Sequence, residues 1–166
     1  MLFLGSNIGN YDPPGARAFV RGVRSRLTAG DAFLLGADLV KPPRELQLAY
    51  DDPLGVTAAF NRNLLVRINR ELGGDFDVNA FDHEAVWNEE ESRIEMHLVA
   101  RSAQQVNVSA AQLEFSMAPG ERIWTESSYK YRPEDVDHLL QPAGFRVTQR
   151  WIDRADHFAL TLAEAI

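Results

Sequence analysis

Apolar positions follow three different rhythms along this chain, and each rhythm predicts a different element. Leu2, Phe3 and Leu4 form a short unbroken apolar run, as in a strand buried on both faces. Ala16, Phe19, Val20, Val23 and Leu27 then recur at helical spacing. Asp12 is placed to cap that helix, Pro13 to open it and Gly30 to end it. Phe33 to Val40 is a second buried-strand candidate. A helix joining two apolar strands is the unit of a parallel sheet with a right-handed crossover.

The pair Pro42–Pro43 marks a change of character. Asp52–Pro53 repeats the cap-then-proline start, and Phe60, Leu64, Ile68 and Leu72 lie four apart on one helical face before Gly73–Gly74. From about Phe81 the period becomes two. Arg93, Glu95 and His97 alternate with Ile94, Met96 and Leu98, which predicts an antiparallel strand with one wet face. Strand-like runs follow at about 104–108, 112–117 and 121–129, so residues 41–130 read as an α+β insertion. Pro133 then opens a helix carrying Val136, Leu139 and Leu140, and Gly144 closes it. Strands near 145–152 and 157–163, separated by the turn DRAD, predict a hairpin. The outline is βαβ, insertion, αββ: an α/β fold whose first part is 1–40 plus 131–166, with a closing antiparallel hairpin.

What the pattern lacks is as informative. No Gly-rich strand-to-helix turn with an acidic residue downstream is present, so the usual nucleotide-binding half of a doubly wound sheet is missing. The two glycines of GSNIGN have little specificity as a phosphate loop. A central strand beginning at Leu2 has an open edge, and open edges pair with other chains. The expectation is a fragment of a longer fold, or a chain whose missing strands a partner supplies, with self-association through that strand as one form of this; a small sheet capped by its own insertion is the plainer alternative.

Composition narrows the class. Net charge is −7, against a nucleic-acid binder. Cysteine is absent, which excludes thiolate metal sites, thiol nucleophiles and disulfides. No apolar run approaches the roughly 18 residues of a membrane helix, and MLFLG lacks the basic start of a signal peptide. A soluble cytoplasmic protein is expected.

Few residues stand out for chemistry. Asn10 lies just past the first strand, where open α/β sheets bind ligands. Its amide suits an amino acid's carboxylate and amine, and equally suits a loop Asx-turn. On a strand over 121–129, Trp124, Glu126 and Ser128 share a face. A carboxylate and a hydroxyl so placed can hold both nitrogens of an imidazole; a solvated strand face has the same pattern. Tyr50 and Met96 are individually ordinary, Met96 fitting core packing. His83, His97, His138 and His157 are scattered on surface or strand faces without a metal-ligand motif, and Glu89–Glu91 reads as a solvated turn. No metal site and no G-x-S-x-G nucleophile turn are expected.

The stretches FLGSNIGN, LLGADLVKPP, AYDDPLGVTAAFNRNLLVRINRELGGDFD, FDHEAVWNEEESRIEMHL and IWTESSYKYRPED, in this order, cover essentially the whole chain. Together they resemble the histidine N-α-methyltransferases of ergothioneine biosynthesis and related amino-acid methyltransferases. The resemblance implies an incomplete Rossmann-like methyltransferase sheet interrupted by a substrate-binding domain, and S-adenosylmethionine as cofactor. It implies that Asn10 binds the backbone end of the amino acid, with Tyr50 as its partner at the carboxylate. Glu126 and Ser128 would hold the imidazole, and Met96 would form pocket wall. The family's Gly-rich cofactor loop has no counterpart here, so beyond Ser6 to Gly9 no cofactor contact is carried over and no catalytic residue is assigned. The implied activity is N-methylation of histidine to its trimethyl betaine as part of a longer enzyme. Two alternatives stand beside it: a non-catalytic amino-acid-binding module, and a methyltransferase for another amino acid such as a tryptophan derivative. A carboxylate–hydroxyl pair favours imidazole, because indole has a single N–H to satisfy.

Overall fold

A computed structural model describes residues 1–153 and 157–166. In chain order the elements are β1 (Leu2–Phe3), α1 (Pro13–Arg24), β2 (Ala32–Asp38), α2 (Pro43–Tyr50), α3 (Val56–Leu72), β3 (Phe81–Asn88), β4 (Arg93–Ala100), β5 (Gln104–Val108), β6 (Leu113–Met117), β7 (Arg122–Tyr129), α4 (Pro133–Leu140), β8 (Phe145–Asp153) and β9 (Phe158–Ala165). They form two compact units. Met1–Pro42, Asn88–Arg93 and Ser127–Ile166 make the first, and Pro43–Trp87 with Ile94–Glu126 the second. Ser128 thus falls in the first unit and Glu126 in the second. No helix among the described residues is long and apolar enough to cross a membrane.

The first unit is built on a four-stranded sheet of order β1-β2-β9-β8. β1 and β2 are parallel, with Phe3 opposite Leu35, while β2–β9 and β9–β8 are antiparallel. Of the turn expected at DRAD, residues 154–156 lie outside the described residues. Phe33, Leu35 and Ala37 alternate onto one face of β2 and meet Val20 and Val23 of α1 and Val136 and Leu140 of α4 in one core. The doubly buried first strand is corrected. β1 is a two-residue edge strand with Leu2 68% exposed, because β2 is its one neighbour among the described residues.

Asp12 caps α1 as expected, its carboxylate accepting from the Gly15 N–H at 2.7 Å. The helix stops at Arg24, well before Gly30. Its last side chain explains the stop: the Arg24 guanidinium donates to the carbonyls of Leu27 (2.9 Å), Gly144 (3.1 Å) and Ile166 (2.6 Å), pinning the chain in a new direction. Leu27 reaches the core from outside the helix.

The second unit holds a three-stranded sheet, β3-β4-β7, and the β5–β6 hairpin. Three expectations are corrected here. α3 starts at Val56 rather than next to Asp52, since Pro53, Leu54 and Gly55 (φ 73°) first make a turn. Asp52 still caps it, accepting from the N–H groups of Thr57 (2.8 Å) and Val56 (3.1 Å). The apolar row four apart is buried only in part: its Ile68 packs on the core, but Phe60 is 63% exposed and Leu64 and Leu72 are exposed too, whereas Asn61 and Leu65 are buried. In β4, His97 is buried rather than wet, its ring 5.9 Å from that of Trp124.

Candidate functional site

In the first unit, the chain leaving β1 turns sharply, with Gly5 at φ 72° and Ser6 at φ 58°, then makes a single 3-10 turn over Asn7–Asn10. A serine in this left-handed region is uncommon, and its hydroxyl accounts for it: Ser6 Oγ accepts from the Asp38 N–H at 2.8 Å. The carboxyl ends of the two parallel strands, where open sheets bind ligands, are thereby tied together. Gly9 lies flush against Tyr129, with room for no β-carbon.

Asp38 then gathers positive charge. Its Oδ1 is 2.9 Å from Lys41 Nζ and its Oδ2 is 3.0 Å from Lys130 Nζ. Lys130 is buried and also donates to Ser128 Oγ at 2.8 Å. A buried ammonium is costly unless paired and hydrogen-bonded, and this one has both. The result is a continuous polar chain from Ser6 through Asp38 and Lys130 to Ser128. Beside it opens a cavity of about 300 Å³, lined among others by Arg17, Glu91, Tyr129, Lys130, Tyr131 and His138. The Tyr129 hydroxyl accepts from Arg93 at 2.6 Å. Tyr131 donates to the Ile8 carbonyl at 3.3 Å; burial, with help from Asp135 and Tyr129, pushes its phenol up to about 12.

In the second unit a different network forms around Tyr50, the last residue of α2. The Tyr50 carbonyl can only accept, so His83 Nε2 donates to it, at 2.7 Å. That leaves His83 Nδ1 as an acceptor, and the Asn61 amide supplies its donor at 3.0 Å while also donating to the His97 carbonyl at 3.2 Å. The Tyr50 side chain packs against the cluster of Leu46, Ile94 and Met96. Thr125 donates to the Met96 carbonyl at 2.9 Å, and the Trp124 indole donates to the Glu126 carbonyl at 3.0 Å.

Of the residues singled out by sequence, the second unit brings Tyr50 and Met96 into one cluster, with Met96 as core. In the first unit Ser128 is buried, while Asn10 is exposed at the end of the 3-10 turn. Glu126 precedes Ser128 by two positions on β7. Sequence reading missed Asp38, Lys130 and Asn61, and it left His83 on a strand face. The one signal for the first pair was the rarity of lysine, which occurs only at Lys41 and Lys130. Among the described residues no group of three His, Asp or Glu is placed to hold a metal ion.

Comparison with known proteins adds the following. The model of a family described as histidine-specific, SAM-dependent methyltransferases matches residues 1–165. A histidine N-alpha-methyltransferase of Mycolicibacterium smegmatis is 52% identical over 163 residues, covering 98% of this chain and 51% of that protein. One of the same name from Mycobacterium tuberculosis is 49% identical over 162 residues, covering 98% of this chain and 50% of that protein. Ergothioneine biosynthesis protein 1 of Schizosaccharomyces pombe is 30% identical over 152 residues, covering 91% of this chain and 19% of that protein. The chain spans about half the length of the two bacterial relatives.

Proposed function

This chain belongs to the family of SAM-dependent, histidine-specific methyltransferases, and on that premise we propose that it supplies the amino-acid-holding part of a longer enzyme that methylates the α-amine of histidine. The observation that carries the reading is the buried support under Ser128: a lysine brought almost wholly out of water, paired with Asp38 and donating to the serine hydroxyl. A solvated strand face needs no such support. Glu126 accepts an imidazole N–H and Ser128 meets the other ring nitrogen. Asn10 and Tyr50 hold the backbone end, and Met96 backs Tyr50. The second unit is the substrate-binding domain.

When bound, S-adenosylmethionine supplies a sulfonium methyl to which the deprotonated amine bonds as the carbon–sulfur bond breaks, and three rounds give the trimethyl betaine. The residues described here fit only part of that donor. The positive-φ turn at Gly5–Ser6 offers close backbone approach. Asp38, however, is committed to two lysines and is not available to a ribose. The chain's own contribution is therefore to bind and orient the amino acid, and orienting two reactants is worth about 7–11 kcal/mol of barrier at best.

Calorimetry of histidine with this chain tests the reading. Saturable binding that Glu126→Ala weakens by about tenfold or more is expected, since a charge-assisted hydrogen bond is lost. Absence of binding, or binding indifferent to Glu126, overturns it. In the complete enzyme the same substitution raises KM for histidine, acting far from the reacting nitrogen. The exposed edge of β1 is the surface through which this chain would self-associate, and a monodisperse monomer in sedimentation overturns that part.

A further inference from the structure

Asp38 is tied down through both of its backbone polar groups. Its N–H donates to Ser6 Oγ at 2.8 Å, and its carbonyl accepts from the Tyr131 N–H at 3.0 Å. The Tyr131 carbonyl accepts in turn from the Val40 N–H at 3.0 Å, so the Tyr131 backbone is laced to the end of β2. Its side chain reaches the other way, to the 3-10 turn Asn7–Asn10, where the hydroxyl meets the Ile8 carbonyl at 3.3 Å. A carbonyl can only accept, so the phenol is the donor. That phenol is pushed up to about 12, chiefly by burial, and its proton is in place throughout the neutral range.

The turn has reason to need this tie. Hydrogen bonds within a 3-10 turn have poor geometry, and here the Tyr11 N–H reaches the Ile8 carbonyl only at 3.3 Å. Ser6 fixes the start of the turn, and the fully buried Ile8 side chain anchors its middle. Asn10 is exposed at the far end, two residues past the carbonyl that Tyr131 grips, so its backbone rather than packing places its amide. We propose that Tyr131 is a positioning residue whose hydroxyl sets where the turn presents the Asn10 amide, and so how tightly the backbone end of the amino acid is held. The last step rests on the reading above in which Asn10 meets that end, whereas the grip of Tyr131 on the turn stands without it. Phenylalanine keeps the ring, which packs on the core of the first unit, and removes the tie alone.

Two measurements on the whole chain separate these. In Tyr131→Phe, the NMR signals of the Ile8 carbonyl carbon and the Asn10 side-chain amide are expected to move, while the backbone amide signal of Leu65, in the second unit, stays in place. An unmoved Ile8 signal, or an Asn10 signal that stays while that of Ile8 moves, overturns the proposal whether or not any ligand binds. Calorimetry with histidine then closes a double-mutant cycle. Tyr131→Phe is expected to weaken binding about fivefold when Asn10 is present and less than about twofold beside Asn10→Ala. No loss beside Asn10, or equal losses in both backgrounds, means that Tyr131 acts on the fold alone and overturns the proposal. Failure of the unsubstituted chain to bind histidine overturns the functional reading, while the Ile8 and Asn10 signals still decide the coupling.

Discussion

A β-carbon added at Gly9 would lie 2.6 Å from the Tyr129 carbonyl oxygen and 3.4 Å from the Tyr129 nitrogen. The requirement for glycine here is close approach of two backbones, since Gly9 is not among the positive-φ residues. It keeps the turn carrying Asn10 in register with the segment carrying Ser128 and Lys130, all within the first unit.

Gly9→Ala must therefore displace backbone, and a loss of about 1–3 kcal/mol is expected, as for other overpacked positions. Gly22 is the control. It lies inside α1 with nothing within 4 Å of its missing β-carbon, so Gly22→Ala is expected to gain about 0.5–1 kcal/mol from helix propensity. Urea denaturation of both variants checks the opposed signs; a Gly9→Ala variant as stable as the parent contradicts the close approach.

The His83 ring is a coupler between Asn61 and the end of α2. Its Nε2 carries the proton because Tyr50 offers a carbonyl, and its Nδ1 accepts from Asn61. NMR of the ring nitrogens at neutral pH is expected to report the Nε2–H form. Asn61→Leu strands His83 Nδ1 and the His97 carbonyl together and is expected to cost about 1–3 kcal/mol. If Tyr50 holds the substrate carboxylate, His83→Phe lowers histidine affinity as well as stability. A variant that loses stability and keeps full affinity would separate Tyr50 from binding.

Asp52 carries the acid sensitivity of α3. The Thr57 N–H, then the Thr57 hydroxyl and the Val56 N–H, hold its carboxyl down at about 2. Because the folded value lies below the unfolded one, the cap's contribution is complete above about pH 4 and is lost as pH falls toward about 2. The stability gap between the parent and Asp52→Ala is expected to close across that window. A gap that stays constant from neutral pH to pH 2 would mean that the carboxylate does not act as the cap.

These positions show where sequence was readable. Cap-then-proline signals gave the start of α1 and the neighbourhood of α3, because a carboxylate and a proline at a helix start act locally, whatever the tertiary fold. The alternating strands from Phe81 to Tyr129 were legible for the same reason. The burial of Lys130 and His97 was not, since each depends on a partner distant in sequence: Asp38 lies 92 residues before Lys130, and Asn61 reaches the His97 backbone from another element. Pattern offered Asn10, Glu126 and Ser128 as candidates with an ordinary loop or strand-face reading beside each, and their roles, like that of Tyr50, came from resemblance. No periodicity distinguishes a ligand-binding Glu126 from a solvated one.

The face of α3 is where pattern misled, and it yields the sharpest stability test. Phe60 and Leu64 repeat at four residues and look like a core stripe, yet Phe60 is 63% and Leu64 38% exposed. Of the predicted row Ile68 does pack inward, but the buried positions beside it are Asn61 and Leu65, because Asn61 is drawn in by His83 and the His97 carbonyl while Leu65 meets Phe76, Phe81 and Leu98. Leu65→Ala is therefore expected to cost about 2–5 kcal/mol, the range for a buried leucine. Phe60→Ser should stay within about 0.5 kcal/mol, as exposed substitutions do. Urea midpoints of the two variants decide between the faces. A Phe60→Ser loss as large as that of Leu65→Ala would show that the outer stripe is covered in solution, and would direct attention to whatever covers it.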